Sequence, residues 1–292
     1  MTDQFLNYLR HEKNRSELTI ERYGKSLRLF QTFFEDQCEG QTWETVDGDV
    51  IRAWMENLMD KGYKATAVCA DLAAIRSFFR FALARGLVSR DPAYCVQGPK
   101  KQKPLPQFVK ESDMDRLLDN EEWGDDYKDV RARTIIILLY EAGLRRSELV
   151  GLNDQDVDLN ACQLKVTGKR NKQRIIPFGE EMRDQLLKYI ALRNEQAAGN
   201  SEALFVGRRG GRISADEVYL MVKGKLGEVT TLKKRSPHVL RHSFATALLN
   251  HNAGLESVRQ LLGHESLETT EIYTHTTFDQ LKRIYKEAHP RG

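Results

Sequence analysis

The sequence has little that would place it in a membrane class, a secreted class or a class that uses nucleoside triphosphates. None of its apolar runs approaches the ~18 residues that a membrane-spanning helix requires. The amino-terminal stretch MTDQFLNYLRHEK is amphipathic and has no apolar core of the kind found in signal peptides. A GxxxxGK(S/T) loop is missing as well, so no segment indicates binding of ATP or GTP.

Cysteine is scarce, and its spacing matches no disulfide framework. The four cysteines, which have neither CxxC spacing nor a pairing pattern, are Cys38, Cys69, Cys95 and Cys162. Reduced thiols are typical of the cytoplasm, and we therefore expect a cytoplasmic protein.

Acidic residues are absent from two stretches that are rich in lysine and arginine. Residues 98–110 carry no acid and four lysines, Lys100, Lys101, Lys103 and Lys110. Residues 161–176 carry no acid and five basic residues, Lys165, Lys169, Arg170, Lys172 and Arg174. Two further basic clusters lie at 208–212 and 233–235. A single basic run usually forms a solvated face, but four of them favour a polyanionic partner, for which nucleic acid is the first candidate.

The length of 292 residues is enough for two domains, and the pattern of the chain changes once. Residues 1–97 carry apolar residues at helical spacing in four segments, which predicts a compact bundle of four or five helices. Residues 98–108 contain three prolines and the first lysine run, which predicts an extended basic linker.

Residues 109–292 predict a second, mostly helical domain with a small β-sheet. Helices are expected in ESDMDRLL, in DVRARTIIILLYEAGL and at 180–194, 214–229, 238–251 and 255–262. The segment ACQLKVTGKRNKQRIIPFG has two short alternating runs around GKRN, which predicts a β-hairpin. The predicted fold class is therefore mainly α with a small β-sheet, a helical bundle followed by an α+β domain.

Six of the seven histidines lie at or beyond position 238, where two kinds of site are conceivable. His238 and His242 are spaced i, i+4 and could place two metal ligands on one helical face. Arg241 lies between them, however, and its guanidinium would repel a dication, so we predict no metal site. His238 and Arg241 also share a face, and an imidazole beside a planar guanidinium suits a phosphate oxygen.

Four segments together resemble the catalytic motifs of the tyrosine recombinases. They are EAGLRRSELVGL, TGKRNKQRIIP, PHVLRHSFATALL and LLGHESLETTEIYTH, in that family's order and approximate spacing. The segments ELTIERYGKSLRLFQTFF and AAIRSFFRFALARGLVSRDPA resemble its amino-terminal DNA-clamping helices, and GPKKQKPLPQFV resembles its linker. The resemblance covers nearly the whole chain and is strongest to the Xer-type recombinases, which resolve chromosome dimers.

The resemblance implies six active-site residues: Arg145, Lys169, His238, Arg241, His264 and Tyr273. The two arginines and two histidines would surround the scissile phosphate of DNA. The lysine would protonate the 5′-oxygen that leaves, and the tyrosine would be the nucleophile that forms a 3′-phosphotyrosine. Cationic side chains would stabilise the transition state without a metal, and the phosphotyrosine would keep the energy of the broken bond, so we expect no cofactor. Glu148, in the first motif, is expected to be a structural partner.

Six further basic residues are expected to bind DNA: Lys100, Lys101, Lys103, Arg170, Lys172 and Arg174. Within the hairpin, Arg170 stands where this family commonly has glycine. Glycine takes a positive φ at no cost, so arginine would strain or shift the turn. The identity of the general acid, Lys169 or Lys172, therefore stays open.

The resemblance also implies partners and an assembly. The two domains would clamp duplex DNA that carries a specific recombination site, and four protomers would exchange strands through a Holliday junction, as a homo-tetramer or with a second Xer-type recombinase. The amphipathic ending FDQLKRIYKEAHPRG is expected to dock on the neighbouring protomer. Three alternatives remain: an integrase or transposase of a mobile element, a type IB topoisomerase, and a DNA-binding protein without catalysis.

Overall fold

The chain divides into two compact units, Met1–Pro104 and Leu105–Gly292, each with a hydrophobic core of its own. The computed structural model describes residues 1–38, 40–101, 107–119, 123–168, 171–196, 201–207, 210–263 and 284–290. Residues 102–106, which are five of the eleven residues of the expected linker, lie outside these ranges. So do five residues expected in the active site or the DNA interface: Lys103, Lys169, Arg170, His264 and Tyr273.

The first unit is a helical bundle around an aromatic core. Its helices are α1 (Thr2–His11), α2 (Glu17–Gln37), α3 (Gly48–Asp60) and α4 (Ala65–Ala84). Phe5, Phe30, Phe34 and Phe78 are buried where the apolar faces meet. Trp43, from the loop before α3, packs between these rings, with its centroid 4.4 Å from that of Phe78 and 5.1 Å from that of Phe34. The helical bundle predicted from the apolar spacing is confirmed.

A short polar side chain precedes both α2 and α3, but only the one before α3 caps its helix. The Asp47 carboxylate accepts hydrogen bonds from the backbone amides of Asp49 and Val50, which satisfies two of the amides left unpaired at a helix start. Asp47 is therefore the cap of α3. Ser16 precedes α2, but its hydroxyl lies 2.9 Å from the Thr19 hydroxyl and caps no amide.

The second unit is mainly helical with a small antiparallel sheet. Its helices among the described residues are α5 (Glu111–Leu118), α6 (Tyr127–Glu141), α7 (Arg146–Gly151), α8 (Glu180–Gln196), α9 (Ala215–Val229), α10 (Pro237–Asn250) and α11 (Leu255–Leu262). Every residue of α6 from Thr134 to Glu141 is buried, as expected for a helix at the centre of a domain. The sequence predicted these helices except α7, which is only six residues long.

The sheet has the strand order β1-β2-β3, with β1 (Val157–Asp158), β2 (Gln163–Thr167) and β3 (Gln173–Pro177). The predicted hairpin is β2–β3, in which Thr167 pairs with Gln173 at the turn end. The Gly168 amide donates to the Lys172 carbonyl, 2.7 Å away, and closes the turn. Asn171 has φ of 59°, a left-handed conformation that asparagine tolerates better than most residues.

The carboxy-terminal segment 284–290 packs against the second unit. Tyr285 and Ala288 are buried in a cluster with Phe244 and Leu248 of α10. The His289 ring stacks on Tyr285 at a centroid distance of 5.1 Å. The described part of the ending that was expected to dock on a neighbouring protomer thus makes these contacts within its own chain. Over the described ranges, no helix is both long enough and apolar enough to cross a membrane.

Candidate active site

Arg145 lies at the sharp turn between α6 and α7. Gly143 has φ of +56°, and a Cβ atom at this position would lie 2.4 Å from the Phe244 ring, so both the turn and the packing require glycine. The Arg145 amide donates to Glu148 Oε2 (2.8 Å), and Arg145 Nη1 donates to Glu148 Oε1 (2.6 Å). The motif GLRRSEL therefore fixes the backbone and the guanidinium of Arg145 with one carboxylate, in the manner of a capping box.

Glu148 is buried, with 3% of its side chain exposed, and it is paired with a second arginine. Arg174 Nη1 and Nη2 donate to the two Glu148 oxygens, both at 2.9 Å, in a bidentate arrangement. Burial would raise the pKa of Glu148, but the hydrogen bonds and charges of Arg174 and Arg145 outweigh it and lower the pKa to about 2. Glu148 is therefore an anion at neutral pH and serves as a structural partner of the arginines.

Arg241 enters the same region from α10. Its side chain is 9% exposed, and Nη1 lies 3.9 Å from Glu148 Oε2 and donates to the Gly143 carbonyl at 2.6 Å. Burial and the charges of Arg145 and Arg174 lower the pKa of Arg241 to about 10, with Glu148 opposing them. The guanidinium nevertheless remains charged at neutral pH.

The carboxy-terminal end of α11 is held by these three arginines. The contacts are Arg174 Nε to Leu261 O (2.9 Å), Arg241 Nη2 to Leu262 O (2.6 Å) and Arg145 Nη2 to Gly263 O (3.1 Å). Carbonyls at a helix carboxy-terminus lack intrahelical partners and carry the negative end of the helix dipole. Cationic donors therefore stabilise this end, and the carbonyls of Leu261, Leu262 and Gly263 each accept from one of the three arginines.

His238 lies on the first turn of α10 and is exposed. Partial burial of its ring lowers its pKa, and the charges of Lys234, Arg146 and Arg241 lower it further. The imidazole is therefore mostly neutral at pH 7 in the free chain, and the surrounding cations make its position attractive to an anion.

An open cavity of about 690 Å³ lies over this cluster. Its lining includes Arg145, Glu148, Gly168, Lys172, Arg174 and Gly263. Gly168 and Gly263 directly precede Lys169 and His264 in the chain. The cavity is thus bordered by the first arginine, by the hairpin turn and by the end of α11, which is a cationic surface suited to a phosphate group.

Most of the predicted site residues fall into three sets: those in the arginine cluster, those exposed at a turn or at the end of the first unit, and those outside the described residues. Arg145 and Arg241 lie together around Glu148, with His238 at the start of the helix that carries Arg241. Lys172 is exposed at the hairpin turn, and Lys100 and Lys101 are exposed at the end of the first unit's described residues. Lys103, Lys169, Arg170, His264 and Tyr273 lie outside the described residues.

Arg174, which the sequence predicted to bind DNA, is mostly buried and already has a carboxylate partner. Its side chain is 14% exposed, and its fork is occupied by Glu148. The signal available in the sequence was the glutamate of the first motif, an acid in a mostly apolar stretch that needs a cationic partner when buried. Because Glu148 and Arg174 are 26 residues apart, the sequence did not show which cation would pair with the glutamate.

The described part of the chain contains no group of three or more histidine, cysteine or acidic residues that could hold a metal ion. The cluster can bind an anion, and its donors are guanidinium groups fixed by Glu148 and by backbone carbonyls.

Family models identify the class of protein that this fold and cationic site define. The model described as "Phage integrase family" matches residues 107–280, and "Phage integrase, N-terminal SAM-like domain" matches residues 2–86. The chain belongs to the phage integrase family.

Curated relatives narrow this class to the tyrosine recombinases. The chain is 37% identical to tyrosine recombinase XerC of Chlorobaculum tepidum, over 99% of this chain and 94% of that protein. It is 38% identical to tyrosine recombinase XerC of Psychromonas ingrahamii, over 100% and 97% respectively. The predicted membership in the tyrosine recombinase and phage integrase family is confirmed.

A solved structure supports the same fold. Site-specific recombinase XerH bound to palindromic difH substrate has a TM-score of 0.71 and 22% sequence identity, over 97% of this chain and 83% of that one. At this identity the likeness concerns the fold alone. The fold class predicted from the sequence, mainly α with a small β-sheet, is confirmed.

Proposed function

We propose that this chain is a site-specific DNA recombinase that cleaves and rejoins duplex DNA through a 3′-phosphotyrosine on Tyr273. The observation that carries the proposal is the cluster in which Glu148 holds Arg145 and lies beside Arg241 at the border of an open cavity. The relatives named tyrosine recombinase XerC support it at the level of the family.

The two arginines suit the electrostatics of phosphoryl transfer. Negative charge is spread over the non-bridging oxygens of the phosphate in the transition state. Arg145 and Arg241 would each donate to one of these oxygens, and His238 and His264 would complete the set of donors. The fixed positions of the two arginines support catalysis, because donors that are already oriented need no reorganisation during the reaction. Losing one such donor typically costs ~10²–10³-fold in rate.

The proposed chemistry balances without an external co-reactant. The Tyr273 hydroxyl releases its proton to water and its oxygen attacks the phosphorus. The bond from phosphorus to the 5′-oxygen breaks, and Lys169 supplies a proton to that oxygen. The phenol has an ordinary pKa of about 10, so a cationic surround is needed to favour its anionic form. Lys172, exposed beside the same turn, remains the alternative acid. Attack by a free 5′-hydroxyl on the phosphotyrosine reverses the step and rejoins the strand.

In this proposal, the two units would bind opposite faces of the duplex. Residues 1–97 would bind one face and residues 109–292 the other, with the linker 98–108 crossing the backbone. Lys100 and Lys101, which are exposed, support phosphate contact by the start of this linker. Four such chains, identical or of two kinds, would exchange strands through a Holliday junction and so resolve chromosome dimers in the cytoplasm.

A denaturing gel of the chain with a nicked duplex tests the central claim. The duplex is selected from random DNA by its binding to the chain, and the nick traps the cleaved strand. A slow-moving covalent adduct is expected with the natural chain and with Tyr94→Phe, which alters an exposed tyrosine of the first unit. No adduct is expected with Tyr273→Phe, because the attacking hydroxyl is gone.

The same assay separates the rival functions. An adduct that persists in Tyr273→Phe would contradict the proposal. With two labelled sites, a recombinase gives a four-way junction, whereas a type IB topoisomerase gives the adduct and relaxation of supercoils without a junction. Binding without any adduct would indicate a DNA-binding protein that lacks catalysis.

A further inference from the structure

The proposed reaction assigns no role to the ion pair between Glu148 and Arg174. Arg174 employs three of its nitrogen atoms: Nη1 and Nη2 donate to the Glu148 carboxylate, and Nε donates to the Leu261 carbonyl. The pair therefore connects three elements, namely β3, α7 and the end of α11. Because the two residues are 26 positions apart and Leu261 is 87 positions from Arg174, no local structure imposes these contacts.

The pair also lies against the backbone that precedes two predicted catalytic residues. A Cβ atom at Gly263 would lie 3.1 Å from Arg174 Cδ, and one at Gly168 would lie 3.5 Å from Glu148 Oε1. Gly263 directly precedes His264, and Gly168 directly precedes Lys169. The same carboxylate that Arg174 orients also holds the Arg145 guanidinium, at 2.6 Å.

We propose that Arg174 is a positioning residue of the active site, which orients Glu148 and ties it to the end of α11 without contacting DNA. This inference rests on the proposed function, and it reassigns a residue that the sequence predicted to bind DNA. Through Glu148 it acts on Arg145, and through Leu261 it holds the end of α11. Loss of Arg174 should therefore impair cleavage more than binding.

The geometry of the guanidinium explains why lysine should not replace it fully. Arginine presents donors in a rigid planar fork that matches both oxygens of a carboxylate, whereas lysine offers one nitrogen on a flexible stem. A lysine at position 174 would keep the positive charge beside Glu148. It would lose either the second carboxylate contact or the bond to Leu261 O.

The test compares Arg174→Gln and Arg174→Lys with the natural chain on the nicked duplex that binding to the chain selects. We expect single-turnover cleavage to fall ~10- to 100-fold for Arg174→Gln, less than the typical ~10²–10³-fold for loss of a direct donor. Cleavage by Arg174→Lys should be intermediate. The dissociation constant for DNA should change by less than about threefold, and its dependence on salt should keep its slope.

A pH profile separates positioning from a purely structural role. The cations that face Glu148 are Arg145 from the turn before α7, Arg174 from β3 and Arg241 from α10. Without Arg174 the pKa of Glu148 should rise, since burial remains and its strongest partner is lost. Cleavage by Arg174→Gln should therefore decline as pH falls from 8 to 5 more steeply than cleavage by the natural chain, and added guanidinium ion below denaturing concentration should partly restore it.

The matched control is Arg193→Gln, which removes another buried arginine of the second unit. Arg193 also binds a carboxylate with both terminal nitrogens, including Nη2 to Asp154 Oδ2 at 2.9 Å, and donates to the Leu204 carbonyl. It lines no part of the cavity. Its loss should lower thermal stability as Arg174→Gln does, but it should leave the shape of the pH profile unchanged.

Three outcomes would overturn the inference. Weaker DNA binding in proportion to the lost cleavage, with a shallower salt slope, would make Arg174 a DNA contact. Unchanged cleavage in both Arg174 variants would show that Arg174 has no role in the reaction. Equal effects of Arg174→Gln and Arg193→Gln on cleavage and pH profile would make the role structural alone.

The inference and the proposed function can fail separately. If the natural chain forms no adduct, the recombinase proposal fails whatever Arg174 does. The pairing itself is then tested by acid unfolding. Arg174→Gln should reduce the stability that Glu148 contributes above pH 4.5, with Arg145 retaining part of it, whereas Arg193→Gln should leave that contribution unchanged.

Discussion

At the scale of single residues, the part of the site that the structure describes gathers three cations around one anion. One buried carboxylate, Glu148, contacts Arg145 and Arg174 and lies 3.9 Å from Arg241. Each arginine also donates to a carbonyl at the end of α11. The backbone thus supplies partial negative charge where a second carboxylate would repel a phosphate.

His238 gives a residue-scale prediction that depends on pH. Its pKa in the free chain should lie below the ordinary 6.5, because partial burial and the charges of Lys234, Arg146 and Arg241 disfavour its cationic form. Bound DNA should raise this pKa, because a phosphate favours the imidazolium. Binding should consequently tighten as pH falls through the pKa of the complex. The measurement is an NMR titration of the histidine ring protons with and without the selected duplex.

Protonation of His238 has opposite effects on DNA binding and on folding: it should strengthen binding, but it lowers the stability of the free chain. A folded pKa below the unfolded value makes protonation favour the unfolded chain, so this contribution to stability is complete above pH 6.5 and is lost as pH falls toward the folded pKa.

Lys234→Ala serves as the control for the NMR titration, since removing this cation should raise the His238 pKa in the free chain. An NMR titration midpoint that does not move on DNA addition would place His238 away from the phosphate.

At the scale of elements, the end of α11 carries the most specific geometry. Gly263 ends the helix with φ of 62°, and Arg174 lies against the place where a Cβ atom would be. Gly263→Ala should cost about 1–2 kcal/mol through the left-handed backbone and should also displace Arg174 and slow cleavage. Thermal unfolding and single-turnover cleavage measure the two effects.

The matched control is Gly86→Ala in the first unit. Gly86 follows α4 with φ of +67°, but nothing lies within 4 Å of its position for a Cβ atom. The Gly86→Ala variant should lose about as much stability as Gly263→Ala but should cleave at the rate of the natural chain. If both variants cleave like the natural chain, the contact between Gly263 and Arg174 has no functional consequence.

The elements were predictable from the sequence where local patterns decide them. Apolar spacing identified α1–α4, and two alternating runs around GKRN identified the β2–β3 hairpin. Helix α7 and strand β1 were missed, because six and two residues carry too little periodicity. The inward orientation of Arg174 was also missed, since a basic residue in an acid-free strand reads as exposed until its buried partner is known.

At the scale of the whole molecule, the two units each have the core that independent folding requires. The aromatic cluster of the first unit and the two clusters of the second draw their residues from one unit each. Residues 1–101 and residues 107–292, expressed separately, should each unfold cooperatively, as measured by circular dichroism during heating.

Separate units also test the proposed clamp around DNA. The full chain should bind the selected duplex at least ~10²-fold more tightly than either unit, because the second contact becomes intramolecular. Lys100→Ala together with Lys101→Ala should reduce the slope of log affinity against log salt by about 2. If one unit binds as tightly as the full chain, the clamp is wrong.

The three arginines around the end of α11 have a consequence for the thermodynamics of assembly. Bringing three guanidinium groups together is opposed by their mutual repulsion. Here folding itself performs this work, using Glu148 and the carbonyls of Leu261, Leu262 and Gly263 as counter-charges. In the proposed reaction, an arriving phosphate would then enter a preorganised field, so that little of its binding free energy would be consumed by rearranging the cations that receive it.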